Sequence, residues 1–125
     1  VFPITNQEYL EFMNDGGYET YKYWLSDGWE KVKSNKWDSP MYWEKINDEW
    51  HVRDFLGIRK INPNEPVCHV SYYEADAYCK WRTDRLNEAI LNVEATYVSG
   101  NDTYTAESVI KLVREELVRK TITVN

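Results

Sequence analysis

The sequence has no long apolar run and few cysteines and histidines. No stretch approaches the roughly 18 consecutive apolar residues of a membrane-spanning helix, and no signal-peptide pattern opens the chain. Among 125 residues there are two cysteines and two histidines. Since disulfides belong mainly to exported proteins, this composition predicts a reduced, cytoplasmic protein without a membrane partner.

The chain also lacks an excess of basic residues. Its 15 lysines and arginines are outnumbered by 21 aspartates and glutamates, which gives a formal net charge of -6. Nucleic-acid binding depends on lysine and arginine contacts with phosphates, and no basic run provides a local exception. The composition therefore argues against a nucleic-acid partner.

What the sequence has in abundance is aromatic side chains, which make up 15% of its residues. Tyrosine and tryptophan combine apolar area with a polar group, so they are common both in cores and at ligand surfaces. One group of aromatic residues is the best candidate for a ligand-binding surface: Trp29, Trp37, Tyr42, Trp43 and Trp50. The alternative is that these rings are the packed core that joins a helix to a hairpin.

Capping patterns predict two of the helices. Thr5 and Glu8 have the spacing of a capping box, which indicates a short helix over residues 6–14. Ser71 and Glu74 repeat that spacing before a second amphipathic segment. Its predicted buried stripe consists of Tyr72, Ala75, Tyr78, Cys79 and Arg82.

The middle of the chain predicts a further helix and a hairpin. Ser26 or Asp27 could cap a helix that runs to Asn35. Residues 41–46 and 49–55 read as two strands around an Asn-Asp turn.

The remaining segments read as a loop, a short extended piece and a tail. Residues 57–66 contain turn residues, and residues 67–70 lead to the second capping box in an extended conformation. Beyond residue 86 the pattern predicts a strand over residues 93–98, and then an amphipathic helix over residues 105–120 that is followed by an extended end.

The Cys68-His69 pair invites a catalytic or metal-binding interpretation, but its spacing does not favour one. Adjacent residues of an extended segment point to opposite sides, which is unsuitable for a nucleophile and its base. Neither Cys79 nor His51 completes a zinc pattern with them. We therefore interpret both cysteines as small buried apolar residues, and we assign no catalytic residue and no metal ligand.

Several phrases in order carry a resemblance to a known family. They read TNQEYLEFMNDGGY, YWLSDGW, SPMYWEK and NEPVCHVSYYEADAYCKW. Together they resemble the formylglycine-generating-enzyme or sulfatase-modifying-factor domain, and most closely the C-terminal domain of ergothioneine-type sulfoxide synthases. The resemblance covers about residues 1–86.

This resemblance implies an α+β, C-type-lectin-like fold with short helices, a hairpin and a C-terminal helix. In sulfoxide synthases the domain lies beside a helical domain that carries a three-histidine iron site, and the two together join a thiol to a histidine betaine using oxygen. In formylglycine generators a late cysteine pair binds copper. The matched phrases contain none of these residues, so iron is expected in the complete family enzyme and no cofactor is expected in this chain.

The chain departs from the family pattern after Arg85 and Leu86. The family continues with Pro-Thr-Glu-Ala-Glu-Trp-Glu, which this chain lacks. The sequence therefore predicts two parts, residues 1–86 as the N-terminal part of the family domain and residues 87–125 as an unmatched tail.

Two functional hypotheses follow from this division. In the first, the chain is scaffold or a substrate-cleft wall of an iron-dependent carbon-sulfur bond-forming enzyme, inactive alone, whose missing helical domain would complete a small-molecule site. In the second, it is a non-catalytic ligand- or protein-binding module of lectin-like fold, with the tail helix either packing on the body or mediating a homodimer.

Overall fold

The computed structural model describes residues 2–99 and 120–121, with side chains for residues 3–89. The helices are α1 (Asn6–Asn14), α2 (Ser26–Asn35) and α3 (Tyr72–Ser99). The strands are β1 (Phe2–Pro3), β2 (Trp43–Ile46), β3 (Glu49–Asp54), β4 (Gly57–Lys60) and β5 (Lys120–Thr121). Short 3-10 turns occupy Gly17–Glu19 and Tyr21–Tyr23. No helix in these described ranges is long and apolar enough to cross a membrane.

Three helices and a three-stranded antiparallel sheet are compatible with the predicted α+β class. The sheet has the order β2-β3-β4, and β1 pairs separately with β5 in parallel. The finer expectation of a C-type-lectin-like arrangement stays a prediction.

The first predicted helix is confirmed together with its cap. The Glu8 backbone N–H donates to Thr5 Oγ1 at 3.2 Å, and the Thr5 N–H donates to Glu8 Oε1 at 3.1 Å. These reciprocal bonds satisfy groups that a helix start otherwise leaves unpaired, so α1 begins where the sequence predicts.

The second helix is confirmed in its bounds, whereas its predicted cap is wrong. Leu25 occupies the capping position, and no side chain accepts a hydrogen bond there. Packing holds α2 instead, since Gly28 lies against the Tyr73 side chain of α3. A Cβ atom at Gly28 would come within 2.8 Å of the Tyr73 ring.

The predicted hairpin is confirmed and continues into a third strand. Asn47 and Asp48 both have positive φ, 53° and 62°, as a tight two-residue turn between β2 and β3 requires. Residues 57–60, which the sequence predicts as loop, pair with β3 as β4. No residue of β4 is buried, so the strand lacks the alternation that reveals strands in a sequence.

The segment before α3 differs from the extended piece that the sequence predicts. His69 has φ of 64°, so the chain bends sharply there and the opposite-sides argument for Cys68 and His69 fails. The second capping box is confirmed, because the Ser71 N–H donates to Glu74 Oε1 at 2.9 Å and the Glu74 N–H donates to Ser71 Oγ at 3.3 Å.

The buried face of α3 is only partly the predicted stripe. Ala75 and Tyr78 are buried as predicted, whereas Tyr72 and Cys79 are exposed. The buried face also includes Glu74, Ala77 and Trp81. The helix is therefore rotated relative to the stripe that the sequence suggests.

The predicted strand over residues 93–98 is wrong, because α3 continues through it to Ser99. The predicted division at residue 86 accordingly lies inside a continuous helix. The predicted helix over residues 105–120 and the extended end after it lie outside the described residues, apart from Lys120 and Thr121 in β5.

Aromatic rings form the core between α1 and α3. Phe12 contacts four rings at centroid distances of 5.3 to 5.7 Å, those of Tyr9, Tyr18, Tyr78 and Trp81. Asp15 ties the end of α1 to the middle of α3, since it accepts hydrogen bonds from Trp81 Nε1 at 2.7 Å and from Arg85 Nε at 2.9 Å. These packed helices provide a rigid support for the segment that precedes α3.

Candidate functional site

A cleft of about 620 Å³ opens where the end of α2, the segment before β2 and the start of α3 meet. Its size is within the range of ligand-binding pockets. The aromatic side chains of Trp37, Tyr42 and His69 line it. Its most buried lining residues are Val70 and Glu74, which therefore form its base.

Three of the lining residues have positive φ: Lys36, whose φ of 54° is that of the left-handed cap ending α2, and two residues outside any helix cap, Tyr42 and His69. Tyr42 has φ of 70° and His69 has φ of 64°, a region that residues with bulky side chains rarely adopt. Their rings meet edge to face, with centroids 5.1 Å apart and planes at 86°. A two-residue hairpin turn explains the positive φ of Asn47 and Asp48, but neither Tyr42 nor His69 lies in such a turn.

Hydrogen bonds hold both strained residues in place. The Met41 N–H donates to the His69 carbonyl at 3.1 Å, and the Arg53 N–H donates to the Tyr42 carbonyl at 2.8 Å. The first bond links the approach to β2 with the approach to α3, and the second anchors Tyr42 to β3. Since such strain costs about 1–3 kcal/mol per residue and is concentrated at functional sites, the cleft is the best candidate site.

Glu74 connects the cleft with the aromatic core. The Tyr18 hydroxyl donates to Glu74 Oε2 at 2.5 Å, and the Tyr9 and Tyr18 hydroxyls share a hydrogen bond at 2.7 Å. Burial raises the pKa of Glu74, although the hydrogen bonds from Tyr18 and Ser71 act in the opposite direction. Burial likewise raises the pKa of Tyr9 and of Tyr18 well above the ordinary value. The cleft thus has a rigidly held carboxyl group that can accept hydrogen bonds or exchange a proton.

The raised pKa of Glu74 predicts how stability depends on pH. Between the ordinary and the raised pKa, the folded chain binds more protons at Glu74 than the unfolded chain does. The free energy of unfolding should therefore fall as pH rises through that window. We expect Glu74→Gln to be at least as stable as the parent at pH 7. Its free energy of unfolding should fall less than that of the parent as pH rises, as measured by urea unfolding at several pH values.

Asp15→Asn provides a control of opposite sign. The Trp81 hydrogen bond and then the Arg85 hydrogen bond lower the pKa of Asp15. Its stabilisation is therefore present at neutral pH and is lost as pH falls through the lowered pKa. If the free energy of unfolding falls with rising pH as steeply in Glu74→Gln as in the parent, the pH dependence does not arise from Glu74.

The structure brings two of the five predicted ligand-binding residues to this cleft. Trp37 and Tyr42 line it, whereas Trp43 is buried in the core and packs 5.9 Å from the ring of Trp50. Trp50 lines a separate depression beside Leu10, Lys60 and Ile61. The ring of Trp29 packs against that of Tyr21, with the ring centroids 6.5 Å apart. Ligand contact by any of the five stays a prediction.

Sequence reasoning missed two residues of the cleft. The sequence identifies Glu74 only as a cap, because capping spacing shows nothing about which tertiary surface the carboxyl group reaches. It predicts an extended segment at His69, and no local sequence pattern indicates the positive φ of that residue. The bend before α3 places both residues at the cleft.

The interpretation of both cysteines as buried apolar residues is wrong. Cys68 and Cys79 are exposed and free of disulfide bonds. Cys79 lies on α3 beside Lys80, Thr83 and Lys22, away from the core face. Partial burial and then the charge of Asp76 raise the pKa of its thiol, which makes it a weaker nucleophile at neutral pH.

The described side chains do not fit an iron centre. Within residues 3–89, no group of three or more histidine, cysteine, aspartate or glutamate side chains converges so that it could hold a metal ion. We therefore assign no reaction step through iron to this part of the chain.

Comparison with known proteins identifies the family. The sulfatase-modifying factor enzyme 1-like domain matches residues 1–111. The chain belongs to this family. The resemblance seen in the sequence phrases is thereby confirmed, and the match extends beyond residue 86 into the part of α3 that follows.

Curated relatives agree with the assignment to the sulfatase-modifying-factor family. The chain is 37% identical over 84 residues to the hercynine oxygenases of Mycolicibacterium thermoresistibile and Mycobacterium tuberculosis. These matches cover 67% of the chain but 18% and 19% of the two relatives, so the chain spans about a fifth of their length. It is also 28% identical over 99 residues to the inactive C-alpha-formylglycine-generating enzyme 2 of Bos taurus, covering 69% of the chain and 33% of that protein.

Proposed function

We propose that this chain is the framework part of a sulfoxide-synthase-like domain. It forms one wall of a substrate cleft in an enzyme that joins a thiol to a histidine betaine with oxygen. Iron ligands and the facing wall come from polypeptide outside the described residues. The single observation that carries the proposal is the aromatic cleft with the strained pair Tyr42 and His69, in a relative of hercynine oxygenases.

The residues of the cleft have binding and positioning roles in this proposal. Trp37 and Tyr42 offer ring surface and exclude water from a bound group. Glu74 lies at the buried base of the cleft, where it accepts hydrogen bonds from a bound group. The low local dielectric there strengthens these bonds. When bound in the complete enzyme, iron would supply the oxygen chemistry, and this chain by itself would be inactive and cytoplasmic.

A chimeric enzyme tests the proposal. The matching residues of this chain would replace the corresponding 84-residue segment of the Mycobacterium tuberculosis hercynine oxygenase. Since framework can be exchanged while reacting groups stay in place, we expect the chimera to bind iron and to form the carbon-sulfur bond. Trp37→Ala in the chimera should lower kcat/KM by about tenfold, which corresponds to about 1.4 kcal/mol.

Trp50→Ala is the matched control, because Trp50 is partly buried but lies outside the cleft. It should leave kcat/KM within about twofold of the chimera, a change of about 0.4 kcal/mol. A folded, iron-loaded chimera without activity would contradict the proposal. So would an isolated chain that binds one equivalent of iron and turns over.

The binding-module hypothesis is the second candidate, and one observation favours it. Phe55 at the turn between β3 and β4 is 97% exposed, and Leu56 beside it is also largely exposed. Asp54 stiffens this turn, because its Oδ1 accepts a hydrogen bond from the Leu56 N–H at 2.8 Å. Clustered exposed apolar side chains mark interaction sites. The chimera distinguishes the two candidates, since a pure binding module would not support turnover.

A further inference from the structure

The cleft combines ring surfaces with negative charge. Glu74 at its base is 4% exposed, and Asp38 lies at its exposed mouth. Lys36 is the cation among its described lining residues, and it is also exposed at the mouth. The chain as a whole has a net charge of -6. Both the local and the overall charge therefore favour a cationic occupant.

The acceptor capacity of Glu74 is only partly used within the described residues. Its Oε1 accepts from the Ser71 N–H and its Oε2 accepts from the Tyr18 hydroxyl. When Glu74 is ionised, as it would be with a cation beside it, its carboxylate offers about four lone-pair positions and can accept further donors. A planar donor that can also stack on rings would match this arrangement best.

The guanidinium group of arginine has these properties. It presents five N–H donors in a flat fork, stacks on aromatic faces and is more weakly hydrated than an ammonium group. Cation-π contact with tryptophan or tyrosine contributes about 0.5–2 kcal/mol. Lysine offers a compact, strongly hydrated charge without a planar donor face, so arginine matches this arrangement better than lysine does.

The mouth of the cleft favours a polypeptide over a free small cation. Met41 is 60% exposed and Tyr42 is 53% exposed beside the opening. A small cation stacked on the Tyr42 ring would leave Met41 in water, whereas a polypeptide segment would cover both side chains. Tyrosine, tryptophan and methionine are enriched at protein interfaces, as is arginine.

We propose that this cleft docks an arginine side chain of the polypeptide that packs against it, with the guanidinium against Trp37 and Tyr42 and hydrogen-bonded to Glu74. The inference rests on the proposed function, because it names the chemistry of the partner at the same wall. It does not require this chain to perform any reaction step.

Titration with capped amino acids tests the inference. N-acetyl-arginine methylamide and its neutral isostere N-acetyl-citrulline methylamide would be added while the indole N–H resonance of Trp37 is followed by NMR. Trp37→Phe assigns that resonance. We expect saturable shifts with arginine, and affinity at least about tenfold weaker with citrulline, the loss expected for a charge-assisted hydrogen bond.

Two variants separate the cleft from the rest of the surface. Glu74→Gln keeps the capping box, since glutamine also serves there, and should weaken arginine binding by about tenfold. Glu30→Gln removes an exposed carboxylate of α2 and should leave the affinity unchanged. Tyr42→Ala, at an exposed position, provides a second cleft variant if Glu74→Gln does not fold.

Several results would overturn the inference. These are equal binding of citrulline and arginine, an unchanged affinity in Glu74→Gln, or no saturable shift at Trp37. A final comparison uses methylguanidine and the capped tripeptide Ala-Arg-Ala. The tripeptide should bind more tightly than methylguanidine, because it covers Met41. If methylguanidine binds as tightly as the tripeptide, the occupant is a free cation and the polypeptide partner is wrong. An active chimera beside a failed titration would remove this inference alone.

Discussion

Phe12→Ala is expected to lower the free energy of unfolding by about 3–5 kcal/mol, a large part of the total stability of a small domain. Phe12 is fully buried and contacts four other aromatic rings from α1, α3 and the turn between α1 and α2. Its removal leaves a cavity among rigid rings that cannot collapse easily. Urea unfolding followed by circular dichroism measures the loss.

Phe55→Ala is the matched control, since it changes the same residue type at a position that is 97% exposed. It should change the free energy of unfolding by less than about 0.5 kcal/mol. Comparable losses in the two variants would show that the ring cluster around Phe12 is not the core of the fold.

Gly17→Ala is expected to destabilise the protein by about 1–3 kcal/mol or more, because the added methyl group has no space. A Cβ atom at Gly17 would lie 2.3 Å from the Phe12 ring, well inside van der Waals contact. The surrounding rings hold Phe12 in place, and the Gly17 carbonyl accepts a hydrogen bond from Trp24 Nε1 at 2.8 Å. Neither side can move without breaking a contact of the core.

The double variant of Phe12 and Gly17 tests this explanation. If the cost of Gly17→Ala arises from collision with the Phe12 ring, that cost should largely disappear once Phe12 is alanine. A double-mutant cycle by urea unfolding should therefore show a coupling of about 1–3 kcal/mol. Additive losses would instead place the cost of Gly17→Ala in the local backbone.

Local patterns in the sequence were sufficient for the starts of α1 and α3 and for the first turn of the sheet, but not for the cap of α2. The capping spacings of Thr5 with Glu8 and of Ser71 with Glu74 involve residues three positions apart, so they can be recognised without tertiary information. The Asn-Asp turn likewise depends on two adjacent residues that tolerate positive φ. Such features are encoded within a few residues of the chain.

The composition of the cleft could not be read in the same way. Trp37 and Tyr42 were singled out as aromatic residues, but the same reasoning grouped them with Trp50, which the fold places in another depression. Trp37 and Tyr42 lie where the end of α2 and the approach to β2 are oriented against the start of α3, whereas Trp50 lies beside Leu10 of α1 and Ile61. That orientation depends on long-range packing, for example of Gly28 against Tyr73.

The linear sequence is enough to indicate the family, the acidic and aromatic character of the chain, and the positions where α1 and α3 begin. Family phrases and capping boxes are contiguous, so a linear reading detects them. Three further properties are visible in the folded chain alone: β4 is a strand, Cys68 and Cys79 are exposed, and Tyr42, His69 and Glu74 share a cleft. These properties arise from contacts between segments distant in the chain, where burial and backbone strain depend on the neighbours that folding brings together.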